Sequence, residues 1–96
     1  MDAVLLDDTD HVATVLHRIE AGETVLMAAP NGPVRITAIE PIPIFHKIAV
    51  KALPEGLDIL KHGSSIGVLL ADVDRGALVH VHNLRSRRAL TRSVDG

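Results

Sequence analysis

Two histidines separated by one residue, His80 and His82, lie in the stretch Val79-His80-Val81-His82-Asn83. The valines around them predict a β-strand, in which alternate side chains point to the same face. The two imidazoles would then start about 7 Å apart, within reach of one divalent metal ion or one anionic group. The alternative is a solvated strand face whose histidines have no chemical role, because histidine serves many surface functions.

Lysines stand beside two other histidines of the chain. His46 precedes Lys47, and Lys61 precedes His62. A lysine ammonium group suits a substrate carboxylate by charge, although an exposed lysine is most often solvated. The neighbouring histidine favours the binding role for Lys47.

Composition restricts the class of protein. The 96 residues are 47% apolar, which is enough for one domain with a single core. Phe45 is the only aromatic residue and the net charge is −2, so we expect neither nucleic acid nor an anionic membrane as a partner. The chain has no cysteine, no basic and apolar leader and no apolar run of bilayer length, which predicts a cytoplasmic protein without thiolate chemistry.

The first third of the chain predicts a helix. Val12, Val15, Leu16 and Ile19 have the spacing of one helical face, with Asp8 or Asp10 to cap its start and Gly22 to end it. Short β-branched runs follow, separated by glycine and proline. These predicted strands are Thr24–Ala28, Val34–Ile39, Phe45–Val50, Ile66–Leu70 and Leu78–His82. The sequence therefore predicts a mainly β fold with one N-terminal helix.

A degenerate repeat of the form apolar-x-x-Gly-x-x-apolar recurs along the chain. Its glycines are Gly22, Gly56 and Gly76, and each copy predicts a tight turn that leads into a strand. A fourth copy, from Ile42 to Ile48, has Phe45 in place of the glycine. Either the turn differs there, or this position does not need a positive φ angle.

Three motifs together resemble a known family. The matching stretches are Phe45-His46-Lys47-Ile48-Ala49-Val50, Lys61-His62-Gly63 with Ile66-Gly67, and His80-Val81-His82-Asn83-Leu84. In this order and spacing they resemble the SAF domain of the altronate dehydratase (altronate hydrolase) and galactarate dehydratase family. The chain departs from the family pattern at Phe45, where glycine is usual, and at Val68-Leu69.

The resemblance implies a SAF domain with a β-clip-like fold over residues 1–90, followed by a C-terminal tail at 91–96. It implies a carbon–oxygen lyase (hydro-lyase) that removes water from a sugar acid such as altronate or galactarate, or sulfite from sulfolactate in a close relative. In this family the SAF domain is fused to a large catalytic domain or made as a separate subunit. The chain ends about where the linker to that domain would begin, which favours the small-subunit form.

The resemblance also implies roles for particular residues. His46, His80 and His82 are the expected catalytic residues, and His80 and His82 the expected ligands of a divalent metal, Fe(II) or Mn(II), shared with the large subunit. Lys47, Lys61 and Asn83 are expected to bind the sugar-acid substrate, although Asn83 could instead end the strand. We expect the chain to be inactive alone and to form a homo-oligomer without its large subunit. The alternative is a non-catalytic SAF-type binding or assembly module, which would have no need of two histidines on one face.

Overall fold

The structure is mainly β. The computed structural model describes residues 1–61 and 63–80, together with the backbone of 84–86. In chain order, the strands of these residues are β1 (Ala3–Val4), β2 (Val12–Val15), β3 (Thr24–Ala28), β4 (Val34–Thr37), β5 (Lys47–Ala49), β6 (Asp58–Lys61), β7 (Ser64–Leu69), β8 (Leu78–Val79) and β9 (Leu84–Ser86). None of the described residues belongs to a helix that could span a membrane.

The strands form two sheets. The larger sheet has six strands in the order β4-β3-β1-β2-β5-β8, and the smaller has three in the order β6-β7-β9. All neighbours are antiparallel except β1 and β3, which run parallel. The chain from Pro30 to Pro33 turns between β3 and β4.

The predicted helix over Val12, Val15, Leu16 and Ile19 is wrong. Val12–Val15 form β2, a strand inside the large sheet that pairs with both β1 and β5. Both faces of β2 are covered by core residues, so the alternation of apolar and polar residues that marks a half-buried strand is missing. The buried run then imitates the spacing of a helix, although Leu16, which the helix would bury, is 41% exposed.

Two apolar clusters lie on the two faces of β2. The first cluster includes Ala13 and Val15, and the second includes Val12, in agreement with the alternation of side chains along a strand. The other buried members of the first cluster are Ala3, Leu5, Ile19, Val25, Met27, Ile36, Ala38, Ile42 and Ile48. The other buried members of the second cluster are Ala49, Leu53, Ile59, Leu69, Val73, Ala77 and Val79.

The degenerate repeat corresponds to four equivalent turns. Gly22, Gly56 and Gly76 have φ angles of 87°, 84° and 88°, and each follows a residue that does not have positive φ. In each turn the first carbonyl accepts a hydrogen bond from the fourth N–H, as in a type II turn. A strand begins two residues after each of these glycines, at Thr24, Asp58 and Leu78.

The fourth turn has the same conformation although it lacks glycine. Phe45 has a φ angle of 64°, and the N–H of His46 donates to the carbonyl of Pro43 at 3.1 Å. The N–H of Phe45 donates to the carbonyl of Val15 at 2.9 Å. The position therefore does require positive φ, and neither alternative suggested by the sequence is correct: a bulky side chain occupies a conformation that normally favours glycine.

The four repeats are joined in pairs at their first apolar residue. Ile19 pairs with Ile42, and Leu53 pairs with Val73, each through two backbone hydrogen bonds of 2.8 or 2.9 Å. All four residues are buried. Each repeat thus anchors a turn in the core before the chain enters a strand.

A polar joint connects the two sheets. His11, which directly precedes β2, donates its backbone N–H to the carbonyl of Leu60 at 2.9 Å, and its Nδ1 accepts the N–H of Leu60 at 2.8 Å. The carboxylate of Asp10, which is only 2% exposed, accepts the N–H of Gly63 at 2.8 Å. These bonds attach β6 and the turn after it to the large sheet.

We predict that alanine is far more harmful at Gly76 than at Gly22. A Cβ at either glycine is strained by the positive φ, which costs about 1 kcal/mol. At Gly76 the Cβ would also overlap the carbonyl oxygen of Thr37, whereas Gly22 faces open space. Gly76→Ala should lower the free energy of unfolding by about 3 kcal/mol or more, and Gly22→Ala by about 1 kcal/mol, in urea titrations. Equal losses would contradict the described packing.

We also predict that the His11 joint weakens in mild acid. Nδ1 accepts a hydrogen bond, so the folded protein favours a neutral ring, and burial together with the charge of Lys51 lowers the pKa of His11. A lowered folded pKa means that this stabilisation is complete above about pH 6.5 and is lost as the pH falls below that value. His11→Asn should show a smaller loss of stability between pH 7.5 and 5.5 than the wild type. His17→Ala is the comparison: the hydrogen bond to Asp2 raises the pKa of His17, so the removal of this ring should increase the loss across that pH interval.

Candidate functional site

His46 and His80 meet at the end of the β5–β8 pair. In this pair Ile48 is opposite Leu78 and Lys47 is opposite Val79, so His46 and His80 are the next positions in the same register. Their ring centroids lie 4.3 Å apart and the ring planes are tilted by 51°. Both residues are partly buried. The structure thus brings together two of the three histidines that are expected from the sequence to be catalytic, although the two are far apart in the chain.

Strand β8 ends one residue before His80, inside the strand predicted for Leu78–His82. β8 ends at Val79, which is fully buried in the second cluster, and His80 follows it. His82 and Asn83 lie outside the described residues, as does the tail at 91–96. The prediction that His80 and His82 share one strand face therefore stays a prediction, as do the roles proposed for His82 and Asn83.

The hydrogen bond of His46 defines which of its nitrogens carries a proton. Nδ1 lies 3.1 Å from the carbonyl oxygen of Ile44. A carbonyl can only accept, so Nδ1 is the donor in this contact. In a neutral ring Nε2 then has a free lone pair, which can accept a proton or bind a metal.

The side chains of Lys47 and His46 lie on opposite faces of the sheet. Residues directly opposite each other in antiparallel strands share a face, and Lys47 is opposite Thr14 on β2 and Val79 on β8. Ala49, two residues further along β5, belongs to the second cluster, as does Val79. Lys47 therefore lies at the polar end of the second cluster, whereas alternation directs His46 to the face of Ile48 and the first cluster.

A second lysine is close to Lys47. Burial lowers the pKa of Lys47, and the positive charge of Lys61 lowers it further. Lys61 ends β6, the strand whose Ile59 is also in the second cluster. Lys47 and Lys61 form a pair of like charges that an anion between or beside them would stabilise.

The predicted metal site is incomplete within the described part of the chain. There, no group of three or more histidine, cysteine, aspartate or glutamate side chains could hold a metal ion. His46 and His80 supply two imidazoles, and divalent transition metals bound by proteins usually need at least three protein ligands. These two residues alone do not fit a resident metal.

Apolar side chains are exposed next to the histidine pair. Ile44 and Phe45, in the turn before His46, are 48% and 66% exposed. Leu16 is 41% exposed, and it directly follows Val15, whose carbonyl accepts a hydrogen bond from the N–H of Phe45. Exposed apolar groups beside polar, partly buried residues are typical of a surface that another chain covers.

A shallow cavity of about 300 Å³ lies elsewhere on the molecule. It is lined by Ala52, Leu53, Pro54, Asp72, Val73 and Asp74, and none of the residues selected from the sequence belongs to it. Two carboxylates at its wall would repel an anionic substrate. The end of the β5–β8 pair is therefore the better candidate for binding an organic acid.

Sequence reasoning did not identify the roles of the two early histidines, His11 and His17. His11 joins the sheets, and His17 binds Asp2 through Nε2 at 2.7 Å and the carbonyl of Arg18 through Nδ1 at 2.9 Å. The hydrogen bond that His17 donates to Asp2 raises the pKa of His17. The repeat did contain a signal for the unusual conformation of Phe45, since Phe45 aligns with three turn glycines.

Comparison with known proteins identifies the family. The model of the altronate/galactarate dehydratase SAF domain matches residues 1–87 of the chain. The protein therefore belongs to the altronate/galactarate dehydratase SAF domain family, which confirms the resemblance seen in the sequence.

Similar proteins are of two kinds. The (2R)-sulfolactate sulfo-lyase subunit alpha of Paracoccus pantotrophus is 38% identical over 66% of this chain and 94% of its own length. The protein of the same name from Chromohalobacter salexigens is 31% identical over 92% of this chain and 97% of its own length. The altronate dehydratase of Escherichia coli K12 is 29% identical over 90% of this chain, but the match covers only 17% of that enzyme.

We predict that Lys47 lowers the stability of the isolated chain. Its ammonium group is partly buried and faces another positive charge, so an apolar side chain of similar length removes an unfavourable interaction. Lys47→Met should unfold at the same urea concentration as the wild type or at a higher one. Lys51→Met, at an exposed position, is the matched control and should leave the midpoint unchanged. A clear loss of stability for Lys47→Met would show that Lys47 is a structural residue.

Proposed function

We propose that this chain is the SAF subunit of a lyase that acts on a small, anionic hydroxy acid, with (2R)-sulfolactate as its substrate. The matches to the two sulfo-lyase alpha subunits, which extend over 94% and 97% of those proteins, support the subunit form. The match to altronate dehydratase supports a sugar acid as the second candidate substrate.

The observation that carries the proposal is that a pair of histidines and a pair of lysines lie near one end of β5. His46 and His80 are in ring contact there, and Lys47 lies on the adjoining face with Lys61 near it. Elimination next to a carboxylate needs a base for the proton on the carbon that carries the hydroxyl. It also needs cations for the carboxylate and for the charge that develops on it.

The chemistry is balanced for sulfolactate. A base removes the proton from C2, the C2–C3 double bond forms, and sulfite leaves C3 with the electrons of the C–S bond. The resulting enol of pyruvate then takes up a proton at C3 and loses the proton of its hydroxyl, which gives pyruvate. In a sugar acid the same proton is removed, and hydroxide leaves in place of sulfite with the help of an acid.

The roles of individual residues follow from charge. His46, with its Nε2 free to accept a proton, is the proposed base, and His80 in contact with it is the second imidazole. Lys47 and Lys61 are the proposed binding groups for the substrate anions. Sulfolactate carries a carboxylate and a sulfonate, so two ammonium groups match its two negative charges better than they match the single charge of altronate.

The proposed site requires a larger partner. The described residues around the histidine pair form an open surface with exposed apolar side chains, and elimination chemistry needs a site from which water is excluded. We propose that a large catalytic subunit covers this surface. A divalent metal, Fe(II) or Mn(II), would be bound by His80 and His82 together with ligands from that subunit. When bound, it would supply a Lewis acid for the substrate oxygens.

The test is activity of the complex. The chain alone should release neither sulfite from (2R)-sulfolactate nor a keto acid from altronate. Co-expressed with a large sulfolactate sulfo-lyase subunit, it should support sulfite release. Lys47→Met should lower kcat/KM by about 10- to 100-fold, as expected for the loss of one charged contact, while Lys51→Met should not.

Three results would contradict the proposal. Turnover by the isolated chain would exclude the need for a partner. Keto acid formation from altronate without sulfite release from sulfolactate would assign the second substrate. A stable complex that acts on neither acid would favour the non-catalytic binding module.

A further inference from the structure

Of the four equivalent turns, three have glycine at the position with positive φ, and the fourth has Phe45 there. The conformation costs about 1–2 kcal/mol for a residue other than glycine. The ring is 66% exposed, so its burial within this chain offsets little of that cost. The chain therefore maintains a strained backbone directly before His46.

The strained conformation determines where the carbonyl of Ile44 points. Ile44 and Phe45 are the two central residues of the turn that the bond from the His46 N–H to the Pro43 carbonyl closes. Positive φ at the second central residue belongs to a type II turn, in which the peptide between the two central residues is flipped relative to a type I turn. In this orientation the Ile44 oxygen lies 3.1 Å from Nδ1 of His46.

We propose that Phe45 is a positioning residue that acts through the Ile44 carbonyl to hold neutral His46 in the Nδ1–H tautomer. Free imidazole side chains favour the Nε2–H tautomer, so the turn reverses the usual preference. Nε2, the nitrogen on the outer side of the ring, then keeps its lone pair. The proposal deepens the role of His46 in the proposed function, on which its catalytic meaning rests.

The tautomer can be measured in the isolated full-length chain. Long-range ¹H–¹⁵N correlation spectra separate the two tautomers by the shifts of Nδ1 and Nε2, and His46→Gln identifies the His46 signal among the six histidines. At a pH where the ring is neutral, the wild type should show Nδ1–H at His46. Nε2–H, or rapid averaging of the two tautomers, would overturn the proposal.

Substitutions at position 45 separate the backbone from the ring. Phe45→Gly keeps positive φ without strain, so it should retain the Nδ1–H tautomer and raise the urea midpoint. Phe45→Val disfavours positive φ, so it should lose the Nδ1–H signature. Ile44→Val, which keeps the carbonyl, is the control and should match the wild type. If Phe45→Val does not fold, the wild-type and Phe45→Gly spectra decide, and loss of the signature in Phe45→Gly would overturn the proposal.

The result is independent of the proposed lyase activity. An Nδ1–H tautomer in a chain whose complex is inactive would uphold the positioning role and exclude the proposed function. In an active complex, Phe45→Val should displace the acidic limb of the pH–rate profile, whereas Ile44→Val should leave that limb in place.

Discussion

The fold depends on four turns in which one residue has positive φ. Each turn lies between a buried bridge residue and the first residue of a strand, as Ile42 and Lys47 show for the copy that contains Phe45. The bridges join the copies two by two, so an altered turn would displace a core residue on one side and a strand on the other. Interiors this closely packed tolerate such displacements poorly. The turns are therefore the constraint that sets the register of β5 against β8, and this register brings His46 opposite His80.

The turns are also the part of the fold that the sequence predicts best. Glycine at Gly22, Gly56 and Gly76 indicates positive φ, and the strand after Gly22 has the predicted bounds. The helix over Val12–Ile19 was wrong because β2 is covered on both faces, and period-2 alternation vanishes in a strand of that kind. β1 and β9 could not be predicted, since strands of two and three residues take their conformation from their partners.

The candidate site could be predicted by residue type but not by arrangement. His46 and Lys47 are adjacent in sequence, yet adjacent residues of a strand point to opposite faces, so the pair separates across the sheet. His46 contacts His80, 34 positions further along the chain, because the two are opposite each other in the register of β5 and β8. Lys47 comes near Lys61 through the second cluster, which forms only when the small sheet packs on the large one. Long-range pairing of this kind has no local signal in a single sequence.

The separation of the histidines from the lysines constrains the proposed chemistry. His46 and Lys47 lie on opposite faces of the sheet. A substrate that contacts both must therefore reach around the end of β5. In the described residues this end is bordered by the exposed Ile44 and Phe45 and not by a closed pocket. Ammonium groups bind anions weakly when water competes freely for them. A covering subunit would therefore do more than add residues: by excluding water, it would strengthen the attraction of Lys47 for the substrate and fix the substrate carbon against Nε2 of His46.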